Sequence, residues 1–215
     1  TSSVRANTAY GQSIVSYTGN HTDGATVGHS LSSIPDMVIV KNRTKAVSWG
    51  VWHSSLSSGE VLRLNETTAV TSPGTAYFQD ENNTSSVFSL GTNDETNENT
   101  TTYIAYCFHS VTGYSKFGSY SGTGSSGNAI TTGFAPAFVM IKSTTVSTAG
   151  WVLYDNTRNS FNPVTSRLMA DSSNAESEST VLEFNSTGFN LLATGTGMNG
   201  SGEDYIYAAF ADTRE

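Results

Sequence analysis

The chain has 215 residues, a net charge of −8 at pH 7, and 36% hydrophobic and 13% charged residues, against roughly 45–50% and about 25% in ordinary soluble domains. Hydroxyls fill the gap, with 32 Ser and 30 Thr beside 20 Gly, a profile that suits exported or virion-surface β proteins better than cytosolic enzymes. Ten Lys and Arg, scattered singly, exclude a basic stripe for nucleic acid and disfavour an anionic membrane, and no apolar run approaches the roughly 20 residues of a membrane-spanning helix.

Helical periodicity is nearly absent, whereas short runs of Val, Ile, Phe, Tyr and Thr broken by Gly, Asn, Ser and Asp predict strands throughout. The opening Thr1-Ser2-Ser3-Val4-Arg5 does not resemble a signal peptide, and residues 1–9 read as a lead-in. Strands are predicted near 12–17, 36–42, 48–53, 61–65, 86–91 and 102–108. Six more follow near 115–120, 137–143, 150–155, 166–170, 188–193 and 204–211. Several, such as Met37-Val38-Ile39-Val40 and Tyr205-Ile206-Tyr207-Ala208-Ala209-Phe210, are apolar on both faces and so are expected to be covered on both. Polar tracts at 67–86, 92–102 and 171–180 read as long loops. The last overlaps the best helical candidate, 172–183, which has no apolar face.

The chain also says nearly the same thing twice. Tyr17-Thr18-Gly19 recurs as Tyr120-Ser121-Gly122, and Pro35-Asp36-Met37-Val38-Ile39-Val40-Lys41 as Pro136-Ala137-Phe138-Val139-Met140-Ile141-Lys142. Trp49-Gly50-Val51-Trp52 recurs as Trp151-Val152-Leu153-Tyr154, and Tyr103-Ile104 with Phe108 as Tyr205-Ile206 with Phe210. A spacing near 102 residues is too long for a solenoid unit and is the usual size of an autonomous domain. The expectation is an all-β chain of two tandem β-sandwich, jelly-roll-like domains related by internal duplication, 1–110 and 111–215. What both copies keep reads as architecture: Trp49 with Trp151 as core, Lys41 with Lys142 as structural lysines, and Cys107 with Ala209 as small buried residues.

Chemistry is mostly absent. Gly122-Thr123-Gly124-Ser125-Ser126-Gly127 and Gly195-Thr196-Gly197-Met198-Asn199-Gly200 fit a dinucleotide-binding string, but no helix-forming sequence follows either, so both read as hairpin turns. His21, His29, His53 and His109 lack zinc-site spacing. The acidic run over 93–98 offers Asp94, Glu95 and Glu98 as weak Ca²⁺ ligands, with a solvated loop as the ordinary meaning. No nucleophile elbow occurs, and no carboxylate pair is shared by the two copies. The expectation is therefore a non-enzyme without cofactor. Asn-x-Ser/Thr sequons, Asn42 and Asn199 among them, barely exceed what such a composition yields by chance. The remaining site candidates are aromatic: Trp52 beside His53, and Tyr154 beside Asp155, on the strand face opposite Trp49 and Trp151, as contacts for a sugar ring.

Val4-Arg5-Ala6-Asn7-Thr8, Ser13-Ile14-Val15-Ser16-Tyr17-Thr18-Gly19, Gly113-Tyr114-Ser115-Lys116-Phe117-Gly118-Ser119-Tyr120 and the closing Tyr205-Ile206-Tyr207-Ala208-Ala209-Phe210-Ala211 resemble a tandem β-sandwich repeat domain of bacteriophage virion proteins, often marine or cyanobacterial. The resemblance covers nearly the whole chain and brings no catalytic residues with it. It implies a tail-fibre or appendage module on the virion surface; together with the hydroxyl-rich composition and the divergent long loops, the expectation is contact with other virion proteins and a host-surface glycan, with symmetric assembly, most often trimeric in fibres. A capsid decoration protein is the alternative reading, and a polysaccharide-degrading enzyme a remoter one.

Overall fold

The computed structural model describes residues 2–212; Thr1 and residues 213–215, the outermost of the two expected repeats, lie outside it. Sixteen strands follow one another: β1 (Ser2–Asn7), β2 (Gln12–Thr18), β3 (Ala25–Gly28), β4 (Met37–Asn42), β5 (Trp49–His53), β6 (Leu62–Arg63), β7 (Val87–Leu90) and β8 (Thr102–Phe108), then β9 (Ser115–Ser121), β10 (Asn128–Thr131), β11 (Pro136–Ser143), β12 (Val152–Asp155), β13 (Val164–Met169), β14 (Ser177–Asn185), β15 (Gly188–Leu191) and β16 (Asp204–Ala211). The helices among the described residues are single 3-10 turns at Gly74–Ala76 and Asp80–Asn82.

Two compact units result, Thr1–Leu64 with Val70–Ser110, and Asn65–Ala69 with Val111–Glu215. In the first, a six-stranded sheet ordered β1-β2-β8-β4-β5-β6 faces the pair β3-β7. Val15, Tyr17, Val38, Val40, Trp52, Tyr103, Ala105 and Cys107 on the sheet close a core with Val27, Phe88 and Leu90. In the second, one sheet runs β10-β15-β14-β13-β12-β11-β16-β9. It packs on itself, because β13 shifts register between Val164 and Ser166, pairing with β14 before and around the shift and with β12 beyond it. Val139, Ile141, Val152, Tyr154, Tyr205 and Tyr207 there meet Ile130, Leu182, Phe189 and Leu191. Alternation of apolar residues along half-buried strands produces both sandwiches.

Four neighbouring strands have the same order in each unit, β2-β8-β4-β5 and β9-β16-β11-β12, all antiparallel. The same contacts recur at the ends of these strands. Tyr17 stacks on Tyr103 with centroids 5.1 Å apart, and Tyr120 on Tyr205 at 4.9 Å. The Tyr103 hydroxyl accepts from Glu98 N (2.8 Å) and donates to Asp94 O (2.8 Å). Tyr205 does the same with Gly200 N (2.9 Å) and Thr196 O (2.7 Å). Beside each, a buried asparagine ties the loop: Asn97 Nδ2 donates to Gly91 O (2.7 Å), and Asn199 Nδ2 to Ala193 O (2.7 Å). Gly19 and Gly122 complete the pattern, since a Cβ there would lie 2.2 Å from Glu98 O and 2.1 Å from Gly200 O.

The units differ in two strands. β1, the expected lead-in, pairs with β2 over all six residues, and β9 has no such neighbour. Part of the tract 171–180, expected as loop, belongs to β14, whose first half is polar and whose second half, through Leu182, enters the core. The stretch 67–86 instead forms the two 3-10 turns and isolated bridges at Val61–Thr71 and Phe78–Leu90.

Candidate functional site

The aromatic candidates are not exposed. Trp52 retains 6% of its accessible surface and Tyr154 none, and both belong to the cores. The face assignment from sequence was inverted: Trp52 pairs with Val38 on the core side. Trp49 is half-buried on the opposite face, stacked on Tyr106 at 6.5 Å with Lys41 Nζ 6.0 Å from its ring. Trp151 is buried but lies outside the core cluster. Both faces of these strands are apolar, so alternation alone cannot say which one is covered by the opposite layer. His53 is fully buried, its Nδ1 accepting from Ser55 N at 3.1 Å. Burial pushes the Tyr154 hydroxyl up to about 12.

The acidic run is partly solvated and tied to the fold by its acids and its backbone. Glu95 accepts from Arg63 Nε through both oxygens at 3.1 Å, Glu98 pairs with Lys45, and Asp94 contributes its backbone carbonyl to Tyr103 and Asn42. Among the described residues no group of three His, Cys, Asp or Glu stands together as metal ligands. The sequons at Asn42 and Asn199 fall on buried, fully bonded side chains that cannot carry glycan in the folded protein.

Asp155, the fourth candidate, organises a different feature. Its carboxylate accepts from Thr157 N (3.1 Å), Arg158 N (2.9 Å) and Arg158 Nε (2.6 Å). Burial alone would raise its pKa; these bonds and the Arg158 charge outweigh it and hold the carboxyl below its ordinary value. Arg158 continues to Glu176 (2.6 Å) and to Leu153 O (3.3 Å). Further along the loop, Asn159 Oδ1 accepts from Thr165 N (3.0 Å) and Ser166 N (2.6 Å). Asn162 pairs with the backbone of Phe184 in both directions, at 2.6 and 3.0 Å. The loop between β12 and β13 is thus stapled at both ends, and its tip carries Phe161 with 87% of its surface exposed. The loop holds a large apolar ring in water.

Beside Phe161 lies an open cleft of about 310 Å³. Phe184, Val164 and Pro136 form its apolar part, and Asn156, Asn185, Ser186 and Asp212 its polar part. Asn156 Nδ2 donates to Asp212 Oδ2 at 2.8 Å, which orients both groups at the rim. Among the described residues no Lys or Arg lines this cleft. The arrangement can stack an apolar ring face and bond hydroxyls or amides around its edge. Sequence reasoning missed it because Phe161 sits alone between polar residues, where its placement depends on the bonds of Asn159 to β13 and of Asn162 to Phe184.

The model of a family described as a domain of unknown function, DUF7483, matches residues 1–214. The chain belongs to this family. No curated protein and no solved structure matches it. One DUF7483 match spans both units, so the Phe161 cleft and the paired asparagine knots all fall within it.

Proposed function

We propose that this protein is a non-catalytic module of a bacteriophage virion surface, in a tail fibre or appendage, that binds a host-surface glycan in the Phe161 cleft. The observation that carries the glycan reading is the exposed Phe161 ring on a stapled loop beside a cleft of amides and hydroxyls. Sugars present one apolar ring face and a periphery of hydroxyls, which matches a ring flanked by side-chain amides; the bonds of Asn159 and Asn162 that pin the loop reduce the ordering cost of binding. The negative net charge favours neutral or N-acetylated sugars over uronates and sialylated chains. The virion setting rests on the sequence resemblance and the hydroxyl-rich composition.

A glycan array separates these ideas. Binding to neutral oligosaccharides, weak binding to anionic ones, and loss with Phe161→Ala are expected; no binding, or binding untouched by Phe161→Ala and Asn156→Ala, would overturn the site. Copy number in an intact particle tests the setting. A handful to a few dozen copies fits a tail, whereas hundreds would favour capsid decoration instead.

A further inference from the structure

The first unit ends, on one side, in an open sheet edge. β1 is the outermost strand of its sheet, pairs with β2 without a register shift, and exposes five of its six residues. Monomeric proteins blunt such edges with several charged side chains, proline or a bulge, because unpaired N–H and C=O groups accept any compatible strand. β1 has no proline and no bulge, and its one charge is Arg5. Arg5 lies cross-strand from Ile14, which is 48% exposed, and Ser3 lies cross-strand from Ser16. A shallow groove of about 450 Å³ runs beside them, bounded by Ser3, Val4, Arg5, Ile14, Ser16 and Ile104.

We propose that β1 pairs antiparallel with β1 of a second copy, joining the two six-stranded sheets across a two-fold axis. Continuity of the sheet decides the register. Core-side residues must lie opposite core-side residues, which leaves registers centred on a residue. Centring on Arg5 sets like charges directly opposite and is unfavourable. Centring on Val4 pairs Ser2 through Ala6 with Ala6 through Ser2 and sets each Arg5 opposite Ser3 of the other copy. In that register the second copy's Arg5 stem lies beside Ser3, at the near side of the groove, while its guanidinium stays in water. The strand is self-complementary, as a two-fold interface requires, and a two-fold pair is the outcome in place of the trimer expected for a fibre.

Sedimentation velocity of the 215-residue chain tests this, with a concentration-dependent dimer expected. Val4→Cys should give a disulfide-linked dimer on oxidation, since Cys107 is fully buried and does not compete, while Ser3→Cys should give far less. Ala6→Pro, at a position whose N–H points away from β2, should leave a folded monomer. A monomer at every concentration, a trimer, equal crosslinking by the two cysteine variants, or a dimer that survives Ala6→Pro would each overturn the proposal.

Discussion

Replacing Asn199 by alanine should remove much of the second unit's stability. The side chain is fully buried. Its Nδ2 donates to Ala193 O (2.7 Å) and Ser125 O (2.8 Å), and its Oδ1 accepts from Thr123 N (2.9 Å) and Asn128 Nδ2 (2.8 Å). Alanine leaves two carbonyls and two donors to find other partners. At about 1–3 kcal/mol for each group left unsatisfied, with water reaching the exposed Ser125 side, the loss should be about 3–5 kcal/mol, a large part of a typical domain's stability. Asn199→Asp is the informative control. It keeps the shape and the accepting oxygen but turns the second oxygen toward two carbonyls. The aspartate is therefore disfavoured when ionised, its folded pKa rises above the unfolded value, and the loss should shrink as pH falls and the carboxyl gains a donor proton. Urea unfolding followed by circular dichroism, with hydrogen exchange on β15 and β16, measures both. An Asn199→Ala loss below about 1 kcal/mol, or an Asn199→Asp loss unaffected by acid, would refute the reasoning.

Other outcomes follow from the same geometry. Gly122→Ala should cost at least about 1–3 kcal/mol through overpacking, because its Cβ would meet Gly200 O at 2.1 Å, whereas Gly195→Ala, with nothing within 4 Å, should be nearly neutral; thermal melts of the two decide it. Trp52→Ala should lose about 3–5 kcal/mol by cavity formation, which a denaturant titration reads directly. Lys142 is fully buried, donating to Thr67 O (3.0 Å), Ser143 O (2.9 Å) and Ala149 O (2.8 Å). Burial lowers its pKa from 10.5 to about 8, the Asp171 charge opposing only in part. Between those values the unfolded chain holds a proton that the folded chain lacks, so stability should rise with pH across that window. The difference between wild type and Lys142→Met should grow accordingly; parallel pH profiles would contradict it.

Much of the fold was legible because burial writes itself as alternation. All twelve predicted strand regions coincide with strands, and the repeated strings fall on the same four neighbouring strands of each unit. The missed strands have a common cause. β3 and β10 bury one residue each, Val27 and Ile130, and β1 buries none, so little apolar signal exists to read. β14 begins Ser-Glu-Ser-Thr and becomes apolar only at Val181. Trp52 and Tyr154 were misread because both faces of their strands are apolar. Asn97 and Asn199 looked like surface sequence, and their role depends on carbonyls brought near only by the folded loops. Phe161 was invisible for a related reason: the bonds that Asn159 and Asn162 beside it make to β13 and Phe184 hold the loop that carries the ring.

The central claim is that Phe161 serves binding and contributes little to folding. Its direct test is a titration of wild type and Phe161→Ala with a neutral oligosaccharide that the array selects, run beside a melting curve of each. With 87% of the ring exposed, the substitution should change stability by no more than about 0.5 kcal/mol and weaken binding about tenfold or more, the scale of one stacked ring lost. Equal affinity in both proteins, or a weakened affinity that merely tracks lost stability, would contradict the account.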